Sequence, residues 1–297
     1  MKNSNVYRVR SSLGDLNCTC SARLGKADRS PAVGDHVRIT PTSPSAGQII
    51  EIYPRRNQLA RRAAVPMPSA HAHAQIIAVN VDQVMPVFAV AQPDPAWHLL
   101  DRYLVSAESA EIPALVCITK LDLPPASRPS TRELEAVLDD YRRIGYRVIE
   151  TSTHTGAGLD ELELALRGRL TVLVGKSGVG KTSLLNAIQP GLGLRVRETS
   201  RSSGRGRHTT THLEMFPLEN GGALIDTPGI REFGLWDVAG DDLAWLFPEM
   251  RPYVAECKFG LGCRHDAEPG CAIRQAVNTG RISPYRYQSY LRLKDLP

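Results

Sequence analysis

The chain has 297 residues, 42% of them hydrophobic and 23% charged, and a net charge of +5. That is the balance of an ordinary globular protein with room for about two or three domains. No apolar run approaches the ~20 residues that span a bilayer, and Met1–Arg10 lacks an apolar signal core. A membrane helix is therefore excluded, and a cytoplasmic chain with no membrane partner is expected.

Residues 5–62 read as short strands between turns, with Val6–Val9, Val37–Thr40 and Gln48–Ile52 carrying strand character and Gly14-Asp15 and Gly34-Asp35 marking turns. Residues 1–65 hold eleven Lys/Arg against four Asp/Glu, a balance of +7 that leaves −2 for the rest of the chain. Short strands in a small basic module suit a five-stranded barrel of the oligonucleotide-binding kind, and a polyanionic partner such as RNA. Residues 63–74 are rich in Ala, Pro and His and read as a linker, with His71 and His73 in it.

From residue 75 strands alternate with helices. Strands are expected at Gln75–Val79, Val87–Val90, Ala114–Thr119, Arg147–Glu150, Leu170–Val174 and Ala223–Ile225, and helices at Thr131–Ile144, Gly158–Leu166 and Lys181–Ile188. This predicts an α/β unit with a mostly parallel sheet and helices on both faces.

The motifs follow the strand ends. Thr119-Lys120-Leu121-Asp122 resembles the guanine-reading motif of GTPases, usually Asn-Lys-x-Asp. A carboxylate at Asp122 can accept from the N1–H and N2–H₂ edge of guanine, a pair adenine cannot offer. Lys120 can lie across the base plane. Thr119 replaces the Asn whose amide commonly contacts the base and braces the phosphate loop. Thr151-Ser152-Thr153 fits the loop that backs the base, with Ser152 as its candidate contact.

Gly175-Lys176-Ser177-Gly178-Val179-Gly180-Lys181-Thr182 fits G-x-x-x-x-G-K-[ST] at every position, and Ser183 opens the following helical run. Glycines let successive N–H groups turn toward phosphate oxygens, and a helix N-terminus adds partial positive charge. Lys181 suits the β- and γ-phosphates and Thr182 a magnesium ion. Asp226-Thr227-Pro228-Gly229 offers an Asp for the magnesium shell and a Gly N–H for the γ-phosphate. Gly204–Thr211 looks like a first switch, with the magnesium-binding Thr left open among Thr209, Thr210 and Thr211.

The order is base reader, backing loop, phosphate loop, first switch, Asp-x-x-Gly. Standard GTPases place the first two last, so the chain is circularly permuted, which a fold tolerates when its original termini lie close together. Beyond about Asp241 the chain reads as helical. There Cys257-x₅-Cys263-x-His265-x₅-Cys271 offers three thiolates and an imidazole, a set suited to a closed tetrahedral structural zinc site, with a redox pair as the rival. Cys18, Cys20 and Cys117 sit in strand-like runs and are expected in the core.

The motif order together with this Cys/His spacing resembles the ribosome small-subunit-dependent GTPase A family, over nearly the whole chain. The resemblance implies three units: an OB-fold RNA-binding domain (1–65), a circularly permuted GTPase domain (66–240) and a helical zinc-binding domain (241–297). It implies GTP hydrolysis to GDP and phosphate, magnesium with the nucleotide, and late maturation of the small ribosomal subunit, whose rRNA and particle are the partners. A monomer is expected.

Hydrolysis needs a positioned water and neutralised γ-phosphate charge. The residue after Gly229, often a water-orienting Gln elsewhere, is Ile230, which predicts slow intrinsic turnover. Lys181, Thr182, Asp226 and Gly229 are the expected catalytic set, with His208 as a candidate water-positioner. RNA contact is expected from Arg55, Arg56, Arg61 and Arg62 and from Arg281, Arg286, Arg292 and Lys294 interleaved with Tyr285, Tyr287 and Tyr290. An ATPase and a non-hydrolysing RNA-binding switch are the rival functions.

Overall fold

The computed structural model describes residues 6–12, 14–21, 24, 30–62, 74–127, 129–192, 214–227 and 243–295. At the N-terminus β1 (Val6–Ser11), β2 (Gly14–Cys20), β3 (Val37–Ser43) and β4 (Ala46–Ile52) form one sheet in the order β1-β2-β4-β3. Strand alternation turns Leu16, Cys18 and Ile49 inward, where Tyr7, Val9, Val37, Ile39 and Ile52 pack on them. Cys18 and Cys117 are buried as expected, while Cys20 is half-buried.

The fifth strand of the expected barrel pairs elsewhere. β5 (Gln58–Arg62) runs antiparallel to β6 (Ala74–Val79) in a separate two-stranded sheet. The cause is Leu59, which is buried against Ile77, Val81, Val84 and Phe88 of the α/β core rather than in the N-terminal cluster. The division expected at 65/66 therefore falls between two paired strands.

The central sheet has the order β11-β12-β10-β7-β8-β9 and is parallel except for β11. Its strands are β7 (Gln83–Ala89), β8 (Leu115–Thr119), β9 (Arg147–Glu150), β10 (Leu170–Val174), β11 (Glu214–Pro217) and β12 (Ala223–Asp226). The helices are α1 (Trp97–Ser109), α2 (Thr131–Ile144), α3 (Leu159–Leu166) and α4 (Lys181–Ile188). β7 is buried along its whole length, as a parallel strand covered on both faces must be. α2 starts at a capping box, with Ser130 Oγ accepting from Glu133 N–H and the Glu133 carboxylate accepting from Ser130 N–H, and it ends on left-handed Gly145.

The last segment packs α5 (Arg251–Val254), α6 (Ala272–Asn278) and α7 (Pro284–Lys294) round Phe247, Met250, Ile273, Tyr290 and Leu293. Val105 of α1 belongs to the same cluster, so this module shares a core with the sheet's flanking helix. A buried ionic group joins them as well. Arg286 donates to Asp101 of α1 at 2.6 Å and to Glu249 at 2.7 Å, its guanidinium lies 4.6 Å from the Phe247 ring centre, and Tyr141 of α2 donates to the same Asp101 at 2.8 Å.

That arrangement corrects part of the expected RNA surface. Arg286 and Tyr290 are about 1% exposed, and Tyr287 donates to the His265 carbonyl at 2.7 Å. Lys294 is held by the Arg264 carbonyl and Asp266. Arg55 forms a two-pronged pair with Asp35 at 2.8 Å for each prong. Arg56 is exposed but paired with Asp82. Arg281, Arg292 and Tyr285 remain exposed. Among the described residues no helix is long and apolar enough to cross a membrane.

Candidate functional site

The parallel strands deliver the sequence motifs to one edge of the sheet. Thr119 ends β8, Thr151 and Ser152 follow β9, Gly175 follows β10, and Asp226 ends β12. The chain steps outward from β7 to β8 and β9, then returns to lay β10 on the other side of β7. This reversal makes a crevice at the carboxyl ends, where open α/β sheets bind ligands.

The phosphate loop is shaped by its glycines. At Gly175 an added Cβ would stand 2.4 Å from the Val87 carbonyl, so only glycine lets β10 turn there. Gly180 has φ +97° and caps α4, which opens at Lys181. Val179 is buried in the core below. Lys181 Nζ folds back across the loop, donating to the carbonyls of Gly175 at 2.7 Å and Lys176 at 3.1 Å. Thr182 and Ser183 lie half-buried in the first turn, whose free N–H groups and dipole favour an anion. Ser177 and Gly178 form the turn of the loop.

Asp226 faces this loop across β12 and β10. Its Oδ1 is buried and has no hydrogen-bond partner among the described residues. Burial pushes the Asp226 carboxyl above the ordinary carboxylate range and pulls Lys181 below the usual lysine value, each partly offset by attraction to the other. An orphaned buried carboxylate oxygen, with the Thr182 hydroxyl on the facing helix, is a donor set fit for a hard cation such as magnesium. The neighbouring Thr227 hydroxyl donates to the Leu173 carbonyl at 2.7 Å and ties the two strands at that point.

The base side is fully wired. Ser152 donates to Asp122 at 2.6 Å and itself accepts from the N–H groups of His154 and Thr155 at 3.2 and 3.1 Å. The Ser152 hydroxyl bond, more than the small cost of burial, holds the Asp122 carboxyl below its ordinary range, so it is an ionised acceptor. Lys120 adopts a left-handed backbone and donates from Nζ to the Gln92 carbonyl, in the loop between β7 and α1. Leu121 packs against the core, and its N–H donates to the Thr151 carbonyl at 3.3 Å.

Thr119 departs from expectation. Its hydroxyl donates to the Val179 carbonyl at 2.6 Å, with the Phe88 carbonyl at 3.3 Å. The brace between base reader and phosphate loop, which the loss of an Asn put in question, is therefore present. Nothing in the sequence signalled the Gln92 contact or this bond, because both partners lie on other loops.

Gly204–Thr211, including His208, Thr209, Thr210 and Thr211, and Pro228, Gly229 and Ile230 lie outside the described residues, as do His71 and His73.

The Cys/His cluster assembles as a second centre. The ligand atoms of Cys257, Cys263, His265 and Cys271 lie within 4.8 Å of one another, and all four residues are buried. Cys257 Sγ stands 3.3 Å from His265 Nδ1 and 3.9 Å from Cys271 Sγ, and Cys271 Sγ is 3.6 Å from that nitrogen. A tetrahedral ion with Zn–S of about 2.3 Å and Zn–N of about 2.0 Å needs edges of roughly 3.5–3.8 Å, so the cluster fits a metal ion of that size. Glu268, which the motif did not single out, steadies the loop. Against a burial cost, the N–H groups of Arg264, Asp266 and Ala267 hold its carboxyl down to about 2.

The family model described as RsgA GTPase matches residues 52–236, more than half of the chain. The chain belongs to the RsgA GTPase family. It is thus a GTPase, and the RsgA resemblance extends over its relatives' length. A protein of Gemmatimonas aurantiaca named "Small ribosomal subunit biogenesis GTPase RsgA" is 44% identical over 89% of this chain and 83% of its own. A protein of the same name from Geobacillus kaustophilus is 43% identical over 97% of this chain and 92% of its own. Among solved structures, YjeQ from Thermotoga maritima superposes with a TM-score of 0.76 at 29% identity, covering 98% of this chain and 94% of that one. YloQ, described as a circularly permuted GTPase, gives 0.73 at 32% identity over 99% and 91%. The permuted motif order is thus a property of an RsgA-type fold.

Proposed function

We propose that this chain binds GTP with magnesium at the crevice beside β7, hydrolyses it to GDP and phosphate, and acts through that cycle in biogenesis of the small ribosomal subunit. The observation that carries the reading is the pairing of a held, ionised Asp122 with a loop-folded Lys181 at the same sheet edge. The carboxylate selects guanine by its two donors. Residues Gly175–Ser183 cradle the phosphates, with Lys181 as point charge, and Thr182 and Asp226 hold the magnesium, which neutralises charge between the β- and γ-oxygens when bound.

Ile230 cannot orient a water, so hydrolysis by the chain alone is slow, and the small subunit accelerates it by completing the site from the segments that include His208 and Gly229. The ion at Cys257, Cys263, His265 and Cys271 is structural zinc. Its four protein donors close the shell, and no C-x-x-C motif supports a redox role. The N-terminal sheet and the exposed Arg281 and Arg292 supply contacts to rRNA. The division into an RNA-binding sheet, a permuted GTPase unit and a metal-bearing module, in a cytoplasmic monomer, belongs to the same reading.

The test is phosphate release from GTP with and without purified small subunits. A slow rate that rises at least ~10-fold with the particle supports it. Tighter binding of ATP than GTP in competition defeats the role of Asp122. No turnover with the particle present leaves a GTP-sensing switch in its place.

A further inference from the structure

The page carries one inference about base recognition, and it rests on the guanine-nucleotide reading above. Thr119 stands at the end of β8, three residues before Asp122, and is 2% exposed. A threonine hydroxyl has one hydrogen to donate. That hydrogen is committed to the phosphate-loop carbonyl of Val179 at 2.6 Å, with the Phe88 carbonyl at 3.3 Å as the next acceptor. Both acceptors are backbone atoms of the protein. An Asn at this position has two amide hydrogens and can brace the loop with one while offering the other to the base. Thr119 keeps only the first of those two contacts.

The other polar side chains beside it are committed too. Asp122 is an acceptor and can meet only the donor edge of guanine. Ser152 gives its hydrogen to Asp122. Lys120 directs its ammonium to the Gln92 carbonyl. Guanine's opposite edge presents acceptors, O6 and N7. No hydrogen from the side chain of residue 119 is left for that edge.

We propose that Thr119 is a positioning residue which couples the base reader to the phosphate loop and that this site does not read N7 of guanine. Its specificity then rests on the N1–H and N2–H₂ donors alone. Nucleotides altered at position 7, such as 7-deazaguanosine phosphates, are ligands of the site, whereas inosine phosphates, which lack the 2-amino group, are poor ones.

The experiment is displacement of a fluorescent GDP analogue by GDP, 7-deaza-GDP, IDP and ADP from the full-length chain, with Thr119→Ser, Thr119→Val and Thr119→Asn compared with wild type. Wild type should bind 7-deaza-GDP within about twofold of GDP and IDP at least about tenfold more weakly. Thr119→Ser should match wild type. Thr119→Val should lose about tenfold for GDP and 7-deaza-GDP alike, since the lost bond lies on the protein and not on the base. Thr119→Asn should open a gap between GDP and 7-deaza-GDP. Thermal melts of each variant separate a folding defect from lost coupling, and the serine variant carries the test if the valine variant does not fold.

Discrimination of tenfold or more against 7-deaza-GDP by wild type overturns the proposal about N7. A folded Thr119→Val with wild-type affinity overturns the coupling. Equal binding of GDP and ADP by wild type instead removes the guanine reading on which both rest.

Discussion

The two sides of the nucleotide crevice are built to opposite rules. On the base side every polar group named above is paired within the protein: Ser152 to Asp122, Thr119 to Val179, and the N–H groups of His154 and Thr155 to Ser152. On the phosphate side burial works against the charges. Asp226 keeps an orphaned buried oxygen, and burial disfavours the charged forms of both Asp226 and Lys181. Recognition of a neutral base needs acceptors fixed in advance, whereas binding a polyanion with a cation needs charges that are under-compensated until the ligand arrives.

The largest effect that would test this contrast is at Lys181. Lys181→Ala should reduce subunit-stimulated phosphate release by at least ~10³-fold, about 4 kcal/mol of transition-state stabilisation, while GDP affinity falls far less. An equal fall in both would mean that Lys181 serves binding alone and that the phosphate side is no more poised than the base side.

Asp122→Ala should act the other way, weakening GDP by roughly 10²–10³-fold and bringing it level with ADP, because the site loses the acceptor that distinguishes them. Hydrolysis at saturating GTP should change little. A large fall in saturated rate with unchanged affinity would break the assignment of binding to one side and chemistry to the other.

What could be read in the sequence follows the same division. The phosphate loop was legible because its chemistry dictates residue types at fixed spacing, and the strand and helix beside it obey local rules, so that α2 and α4 span the expected residues. The metal cluster was legible for the same reason. Tertiary pairings were not. Arg286, Tyr290 and Leu293 lie at i, i+4 and i+7 on α7, one stripe of a helix, but an arginine in that stripe reads equally as a solvent-facing charge. Its acidic partners are 37 and 185 residues away, and only the fold brings them together. Leu59 likewise looks like any strand residue until the core that receives it is known.

A smaller effect is expected at Ser152. Ser152→Ala removes the donor to Asp122 and the acceptor of two loop N–H groups, which should weaken GDP about threefold to tenfold. The Asp122 carboxyl, no longer held low, should then rise toward its ordinary range. A protonated Asp122 cannot accept from N1–H, so affinity in the variant should begin to fall at a higher pH than in wild type as the solution is acidified. Binding isotherms across mildly acidic pH decide this. Coincident pH profiles would show that Ser152 shapes the loop without tuning the carboxylate.

The smallest effect concerns stability and discriminates most sharply between the two sides. A carboxyl raised above its unfolded value contributes stability that is full below the unfolded value and is lost as pH rises through the folded one. Asp226 is such a group, since burial outweighs its attraction to Lys181. At neutral pH the ionised side chain is thus a net liability to the nucleotide-free fold. Asp226→Asn keeps the shape and removes the charge. Without nucleotide it should melt above wild type at pH 7, by an amount that shrinks as the pH is lowered and the wild-type carboxyl takes up its proton. Asp122, held below its ordinary range, predicts the reverse sign, its contribution being lost on acidification. Thermal melts of the two nucleotide-free proteins over the same pH series decide the matter. If Asp226→Asn melts lower at pH 7, the buried carboxylate is compensated within the protein, and the crevice has no side that awaits charge from its ligand.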